Sequence, residues 1–349
     1  MNKLFVFTIS SILAFLYVPY YHFDLSRYYE SASYISINQS ILTYVFDKYH
    51  SNFDFIYFAF FFICKKLGFP FQLVTAISVG LFYTQTLVFI DIIQNKFGYS
   101  LKGKSRFLID LFALSSASLI LVFSISRTIT ALVFFLFGVI NLLKGNRRAI
   151  IFFIAACFTH LSLILFCIFF LIGYYFNKYF PEKALKRQIL LIVVTIFCFN
   201  SLNLINFLLK LISLLPFFNN YIRFLDFLVI SGRETFSDLG KWDIILFYSS
   251  AFVMLYGLFH IRRYNSMLWV SFFFYILLVT SIAYSVTFAQ RAVLISIPFH
   301  GLVSSAFLGQ KNKTIVVFIY KILLLISIML FFINVYSYRM VWNFSLPDF

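Results

Sequence analysis

The sequence predicts an all-α, polytopic membrane protein: a helix bundle with about ten or eleven spanning segments and one larger periplasmic loop. Composition is the first reason, because 62% of the residues are hydrophobic and 11% are charged, whereas a soluble domain carries about 25% charged residues. The apolar residues also form many separate runs, most of them long enough to cross a hydrocarbon layer of about 30 Å. These runs are continuous rather than alternating, which indicates helices and not the strands of an outer-membrane barrel.

The apolar runs define one integral membrane domain over residues 1–349. No small-residue cleavage site follows the first run, so it is predicted to be an uncleaved helix. Two polar, aromatic-rich stretches, 21–52 and 210–242, are predicted to lie at the membrane surface. The apolar segments fall at about 3–20, 53–66, 71–93, 107–125, 128–143, 149–176, 189–209, 243–260, 266–287, 292–308 and 314–336.

The net charge of +16 does not indicate a nucleic-acid partner, because the basic residues form small clusters between apolar runs, as the positive-inside rule describes. P-loop, GxGxxG, HExxH and GxSxG motifs are absent from the sequence, which disfavours a nucleotide-binding enzyme, a zinc protease and a serine hydrolase. No cofactor or metal is expected. The cysteines all lie in apolar runs without a CxxC pair and are predicted to be buried thiols outside any disulfide; they are Cys64, Cys157, Cys167 and Cys198.

Counting Lys and Arg orients the chain. The loops assigned to one side hold fifteen basic residues, whereas Arg127, the 200–242 loop, Arg291 and Arg339 contribute seven on the other, so 210–242 is predicted to be the main periplasmic loop. The richer, cytoplasmic loops are 94–106, 144–148, 177–188, 261–265 and 309–313. This orientation requires 149–176 to cross twice with a turn near His160. It also requires the weak segment 53–66 to be re-entrant or interfacial.

Two arginines stand alone between apolar runs, Arg127 and Arg291. A charge at the centre of a spanning helix costs about 2.5–3.5 kcal/mol on insertion scales, so each needs a reason. One explanation is that the arginine stands at a helix end and extends its charged head to the membrane surface. The other is an anion site, since a guanidinium grips a phosphate with two parallel hydrogen bonds. The predicted topology puts both on one membrane face, where they would clamp a pyrophosphate.

His160 is the histidine that lies deep within an apolar stretch. It is either a packed histidine or a general base, because an unperturbed pKa near 6.5 suits proton transfer at neutral pH. The other histidines stand at segment ends and are predicted to be interfacial: His22, His50, His260 and His300.

The two polar stretches carry further charged candidates. Asp24 and Arg27 are spaced i, i+3 and would share a helix face, and Arg223 and Asp226 repeat the spacing in 210–242. Arg233 precedes Glu234 in the same loop. Each pair is either a surface ion pair or part of a polar site.

Three passages resemble the O-antigen and exopolysaccharide polymerases, the Wzy and EpsG-like family. The first is Asp24-Leu25-Ser26-Arg27-Tyr28-Tyr29, and the second runs from Phe53-Asp54-Phe55 through Lys65-Lys66-Leu67-Gly68. The most specific is Ser126-Arg127-Thr128, an apolar helix, a basic turn, and then His160-Leu161-Ser162. Arg291 before a late helix is a fainter fourth. The acidic-proline pair expected of the family is missing, and Asn52-Phe53-Asp54 stands there instead.

The resemblance implies an inverting, metal-independent glycosyltransferase at the periplasmic face of the bacterial inner membrane. It would move a glycan from undecaprenyl pyrophosphate onto a lipid-linked repeat unit, among membrane lipids and alongside a flippase and a chain-length regulator. Arginines would hold the pyrophosphate in place of a metal. The expected base is His160, with Asp24 and Asp226 as the alternatives. The expected substrate-binding residues are Arg127, Arg291, Arg27, Arg223 and Arg233.

Two other functions fit a bundle with isolated arginines. A flippase or transporter for lipid-linked oligosaccharides would also have many helices, although the large loop 210–242 favours the polymerase. A membrane O-acyltransferase would also use a histidine base, but its arginine motifs are not matched here. A purely structural membrane protein is the remaining alternative.

Overall fold

The computed structural model describes residues 1–19, 24–36, 38, 40–44, 54–98, 101, 103–117, 119–160, 163–179, 286–308, 321–322, 324–326 and 328–329. Ten helices and no strand are found in these ranges. The helices are α1 (Lys3–Leu16), α2 (Asp24–Ser33), α3 (Phe55–Leu67), α4 (Gln72–Phe97), α5 (Gly103–Ser115), α6 (Leu119–Ser124), α7 (Ser126–Leu143), α8 (Ala149–Thr159), α9 (Leu163–Tyr179) and α10 (Val286–Leu308).

Local sequence explains several of the helix boundaries. The Asn2 side chain accepts hydrogen bonds from the backbone amides of Leu4 and Phe5, which caps the start of α1. Gly68 follows α3 at φ 70° and Gly98 follows α4 at φ 71°, a left-handed conformation that glycine adopts without a steric penalty.

The architecture is that of an all-α membrane protein, as the composition predicts. Among the described residues, α4 and α7 are long and apolar enough to cross a membrane. Shorter apolar helices accompany them, including α1 and α8. The protein buries aromatic and aliphatic side chains between these helices, with Phe89, Phe112 and Phe135 among the largest fully buried residues.

Contacts between helices show in which direction each one runs. Lys3 pairs with Asp91 at 2.5 Å where α1 begins and α4 nears its end. Further along α1, Phe7 and Ser11 lie against Gly80 of α4, so the two helices are antiparallel. We name the two ends of the bundle the Asp91 end and the Arg127 end, since Arg127 lies in the first turn of α7 opposite the early part of α4.

This arrangement shows that α3 does not carry the chain across the bundle. Because α1 finishes and α4 begins at the Arg127 end, the intervening residues 17–71 start and finish on one side. Thirteen residues of helix span about 20 Å, which is short for a membrane crossing. Phe61 in the middle of α3 contacts Phe71 at the start of α4, with ring centroids 5.7 Å apart. This placement of α3 agrees with the prediction that 53–66 is re-entrant or interfacial, which stays a prediction.

The reversal of the chain near His160 is confirmed. Phe153 of α8 and Phe170 of α9 have ring centroids 5.9 Å apart, although seventeen residues separate them, so α8 and α9 form a hairpin. The continuous segment predicted over 107–125 is different in the structure: α5 ends at Ser115 and α6 begins at Leu119. The Ser116 hydroxyl donates to the Ala113 carbonyl at the end of α5, and hydroxyls of this kind compete with helical hydrogen bonding.

A polar network joins three helices at the Asp91 end. Arg106 of α5 pairs with Asp91 at 2.9 Å and with Asp110 at 2.8 Å, and it donates to the Gln94 side-chain oxygen at 2.6 Å. Gln94 in turn donates to Ser305 of α10 at 2.9 Å. On α10, fourteen residues separate Arg291 from Ser305, about 21 Å of helix, so the two ends are separated by most of a hydrocarbon layer.

Several predicted features lie outside the described residues. They are the segments 189–209, 243–260 and 266–285, the loop 210–242, the cytoplasmic loops 181–188, 261–265 and 309–313, and Cys198. Of the later apolar segment 314–336, the structure describes only short pieces.

Candidate functional site

A carboxylate, a guanidinium and an imidazole meet at the Arg127 end. The Arg127 Nη1 donates to Asp54 Oδ2 at 2.5 Å. The other carboxylate oxygen, Oδ1, lies 3.6 Å from His160 Nδ1. Asp54 therefore stands between the other two residues and faces both.

His160 is buried, with 2% of its surface exposed. At 3.6 Å the approach to Asp54 is too long for a hydrogen bond, and within the part of the chain that the structure describes neither ring nitrogen has a hydrogen-bond partner. A buried imidazole without a partner loses its hydration and gains nothing in return. This geometry is more typical of a histidine whose ring nitrogen binds a ligand than of a histidine with a structural role.

Arg291 completes the cluster from the late helix α10. It is 4% exposed, and both Arg291 and Arg127 act electrostatically on His160. Both arginines therefore lie at the end of the bundle that holds His160. Burial of the imidazole favours its neutral form, and the two nearby cations act in the same direction; one ring nitrogen of the neutral form accepts a proton.

Arg127 also has an aromatic partner. Its Cζ atom lies 5.3 Å from the centroid of the Tyr28 ring, which comes from the surface helix α2. Tyr28 packs edge-on against Tyr57, with centroids 5.4 Å apart. With Asp54 on one donor and the ring on one face, the guanidinium is held in a defined orientation.

Hydroxyl pairs fix the helices that carry these residues. The Tyr57 hydroxyl hydrogen-bonds the Ser126 hydroxyl and thus ties α3 to the start of α7, beside Asp54 and Arg127. The Ser78 and Thr130 hydroxyls, 2.8 Å apart, join α4 to α7 one turn further in. Buried hydrogen bonds that are satisfied on both sides favour one arrangement of the helices.

Every member of the cluster lies at or near a helix terminus. Asp54 precedes α3, Arg127 is the second residue of α7, and His160 follows α8 directly. Arg291 lies in the second turn of α10. Because these helices end at the same side of the bundle, polar residues that are far apart in the sequence meet there, and the apolar parts of the helices pack against one another.

Chemically, the cluster combines two cations with one carboxylate and one neutral base. Two guanidiniums at a buried site suit an anion such as a phosphate or pyrophosphate. Within the described ranges, no group of three or more His, Cys, Asp or Glu residues is placed to hold a metal ion. The cluster therefore offers cationic side chains for charge stabilisation and an imidazole for proton transfer.

The remaining predicted site residues have different outcomes. Arg27 is exposed on α2, next to Tyr28, whereas Arg127 and Arg291 are inside. Asp24 begins α2, but its side chain lies outside the described residues. Three more candidates fall outside them entirely: Asp226, Arg223 and Arg233.

Asp54 is the member of the cluster that the sequence reasoning missed. It belongs to a passage that carries the family resemblance, at the place where an acidic-proline pair is expected, but it is not among the predicted site residues. Its signal was available, because it is an isolated carboxylate directly before an apolar, aromatic segment. Such a residue needs a partner on folding, and the structure supplies Arg127.

The prediction for His300 was wrong. It was expected at a membrane interface, but it is fully buried within α10. Its Nε2 lies 3.2 Å from the Ser296 hydroxyl, and Phe112 packs edge-on against its ring. His160 is thus not the one deeply buried histidine, although His300 has the packed, hydrogen-bonded surroundings of a structural residue.

The fold and the cluster define a multi-helix membrane protein that brings two arginines, a carboxylate and a histidine together at one end. The chain belongs to the EpsG family, whose family model matches residues 3–347. Searches of curated proteins and of solved structures give no match. The family membership indicates an exopolysaccharide-polymerase type of membrane protein and, more coarsely, a glycosyltransferase-like enzyme.

Proposed function

We propose that the protein polymerises lipid-linked oligosaccharides by transferring a glycan from a polyprenyl pyrophosphate onto a lipid-linked repeat unit. The observation that carries the proposal is that Asp54 lies between Arg127 and His160, with Arg291 beside them. This arrangement provides an anion site next to a base, which is what the reaction needs.

In the proposed reaction, a hydroxyl of the acceptor sugar attacks the anomeric carbon of the donor glycan. The bond between that carbon and the pyrophosphate oxygen breaks, and the pyrophosphate leaves with the electron pair. The new glycosidic bond forms on the opposite face, so the configuration inverts. The hydroxyl proton goes to a His160 ring nitrogen, a positioned transfer that typically contributes about 10²–10⁴-fold in rate.

The arginines would stabilise the leaving group. Charge develops on the pyrophosphate as its bond to the sugar breaks, and preoriented cations at that point lower the barrier. Arg127 and Arg291 come from α7 and α10, so they approach the cluster from two helices. Arg27, Arg223 and Arg233 remain proposed contacts to the substrate, and Asp24 and Asp226 remain alternative bases.

The charge distribution supports a periplasmic active site in a bacterial inner membrane. Lys96, Lys104 and Arg148 belong to loops or helix ends at the Asp91 end, and Lys96 donates to the Leu143 carbonyl there at 2.7 Å. Basic residues near spanning helices favour the cytoplasmic side. The Arg127 end would then face the periplasm, where a flippase delivers undecaprenyl-linked units and a chain-length regulator acts.

The proposal is tested with a strain that lacks the chain. Loss of a polymerase leaves a surface glycan of one repeat unit, whereas loss of a flippase leaves no exported unit. Gel analysis of the surface glycan separates the two, and the parent gene restores the long glycan. Absence of any exported unit would favour the transporter and contradict the proposal.

A further inference from the structure

The position of Asp54 points to a step that precedes chemistry, and it rests on the proposed function. We infer that Arg127 exchanges partners when the donor binds: the guanidinium leaves Asp54 for the pyrophosphate, and the released carboxylate then engages His160. Donor binding would thereby orient the base, and the base would be in place only when a donor is present.

The carboxylate of Asp54 approaches Arg127 and His160 at different distances. Oδ2 accepts from Arg127 at 2.5 Å, whereas Oδ1 remains 3.6 Å from His160 Nδ1. A nitrogen–oxygen hydrogen bond needs about 2.7–3.2 Å. A shift of the carboxylate by less than 1 Å therefore converts the present approach into a hydrogen bond.

Arg127 has a reason to prefer the ligand. A guanidinium bonds a phosphate through two parallel donors, and a phosphate oxygen can take the place of Asp54 Oδ2 at Nη1. Both side chains of the pair are about nine-tenths covered, at 14% and 13% exposure. The partner exchange thus occurs where water competes weakly for either group.

His160 gains most from the exchange. In the described structure its two nitrogens lack hydrogen-bond partners, so nothing fixes which nitrogen carries the proton. An Nδ1–H bond to Asp54 would set the tautomer and leave Nε2 to accept the proton of the acceptor hydroxyl. The charged groups facing His160 would then be balanced, with Asp54 opposing Arg291 while the pyrophosphate neutralises Arg127.

The exchange has an unusual consequence for variants of Asp54. Because the parent must break an ion pair to bind the donor, removal of the carboxylate should strengthen donor binding while it abolishes turnover. A merely structural Asp54 would weaken both. The split between binding and turnover is therefore the readout.

The experiment uses the full-length chain in lipid nanodiscs with farnesyl pyrophosphate as the probe. We expect Asp54→Asn to lower the Kd for the probe about tenfold, equivalent to about 1.4 kcal/mol, and to reduce polymerisation of lipid-linked repeats at least about hundredfold. Glu30→Gln, at an exposed carboxylate on α2 outside the cluster, is the matched control, and its Kd should equal that of the parent. Asp54→Ala serves in the same assay if the Asn variant does not fold.

The same substitution made in an Arg127→Gln variant distinguishes partner exchange from simple repulsion between Asp54 and the anion. In Arg127→Gln no ion pair exists, so adding Asp54→Asn should leave the Kd unchanged. A tenfold gain in that background would show repulsion and overturn the exchange. Unchanged or weaker binding by Asp54→Asn alone would overturn it too. Failure of the parent to bind the probe or to polymerise would instead contradict the proposed function itself.

Discussion

At the scale of single residues, His160 owes its proposed role to what surrounds it. Asp54 faces its Nδ1, two arginines act on it, and within the described chain neither ring nitrogen is hydrogen-bonded. His300, in contrast, is paired with Ser296. His160 therefore has the surroundings expected of a reactive histidine, and His300 has those of a structural one.

We predict that His160→Ala leaves a glycan of one repeat unit, with insertion and abundance near normal. His160→Gln should fail as well, because Gln restores a hydrogen bond but accepts no proton at neutral pH. The glycan profile on gels and a membrane immunoblot measure the two properties. Long glycan from the Gln variant would show that His160 is structural and would redirect the search for a base to Asp54, Asp24 or Asp226.

Tyr28 is predicted to position Arg127 through its ring face. Tyr28→Phe keeps the ring and should retain most activity, whereas Tyr28→Leu should raise the KM for the pyrophosphate donor about five- to tenfold, in line with a cation–π contact of about 1 kcal/mol. The KM for the acceptor should change less. Equal losses in the Phe and Leu variants would mean that the hydroxyl, and not the ring, is what Arg127 needs.

The arginines and His160 were predictable because each is a polar residue isolated among apolar ones, where solvation is expensive. Asp54 has the same kind of signal, but its partner Arg127 lies seventy-three positions further along the chain, so the contact between them could not be identified from the sequence. Tyr28 and Tyr57 were hidden for a different reason. In a chain with 23 tyrosines, Tyr57 has no distinguishing local pattern, and the passage that contains Tyr28 draws attention to Asp24 and Arg27 and not to its tyrosines.

At the scale of helices, close packing depends on small residues where two backbones approach. On α7, a Cβ added at Gly138 would meet the Phe153 ring of α8 at 2.8 Å. Phe153 also contacts Phe135 and Phe170, so its ring is enclosed on several sides. The α7–α8 hairpin carries both Arg127 and His160, so its packing determines the distance between them.

Gly138→Ala is therefore predicted to destabilise the protein by about 1–3 kcal/mol, as overpacking typically does. The thermal unfolding temperature in detergent measures the effect. Phe153→Leu in the same chain should restore part of the loss, because it removes the ring that the new methyl group meets. An unfolding temperature equal to that of the parent for Gly138→Ala would contradict the close approach.

Helix positions followed from hydropathy, but two features required the folded chain. The helix break at residues 116–117 lies between apolar stretches of similar hydropathy, and the Ser116 hydroxyl bonds the backbone there. The short length of the segment already suggested that α3 does not cross the bundle. The antiparallel contacts of α1 and α4 add the observation that the chain enters and leaves this region at the same end.

At the scale of the whole molecule, two polar layers lie at opposite ends of an apolar bundle. One is the Asp54–Arg127–His160–Arg291 cluster, and the other is the network around Arg106. The second layer ties α10 to α4 and α5 through Gln94 and Ser305. Since α10 also carries Arg291, the network helps to fix the height at which that arginine enters the site.

The orientation of the bundle is predicted from its basic residues. Reporter fusions after Arg148 should report the cytoplasm, and fusions after Ser36 and after Asn220 should report the periplasm. The first two positions lie at the Asp91 end and the Arg127 end of the described structure, and the third lies in the loop 210–242. The same side for Arg148 and Ser36 would contradict the arrangement.

The central claim is that two arginines at one end of the bundle hold the pyrophosphate of a lipid-linked donor. Lysine keeps the charge but loses the two-pronged geometry of the guanidinium. The direct measurement is the surface glycan of a strain that carries Arg127→Lys or Arg291→Lys in place of the parent, with the exposed Arg148→Lys as control. We predict single repeat units for both site variants at normal protein abundance and long glycan for the control. Long glycan from both site variants would contradict the claim.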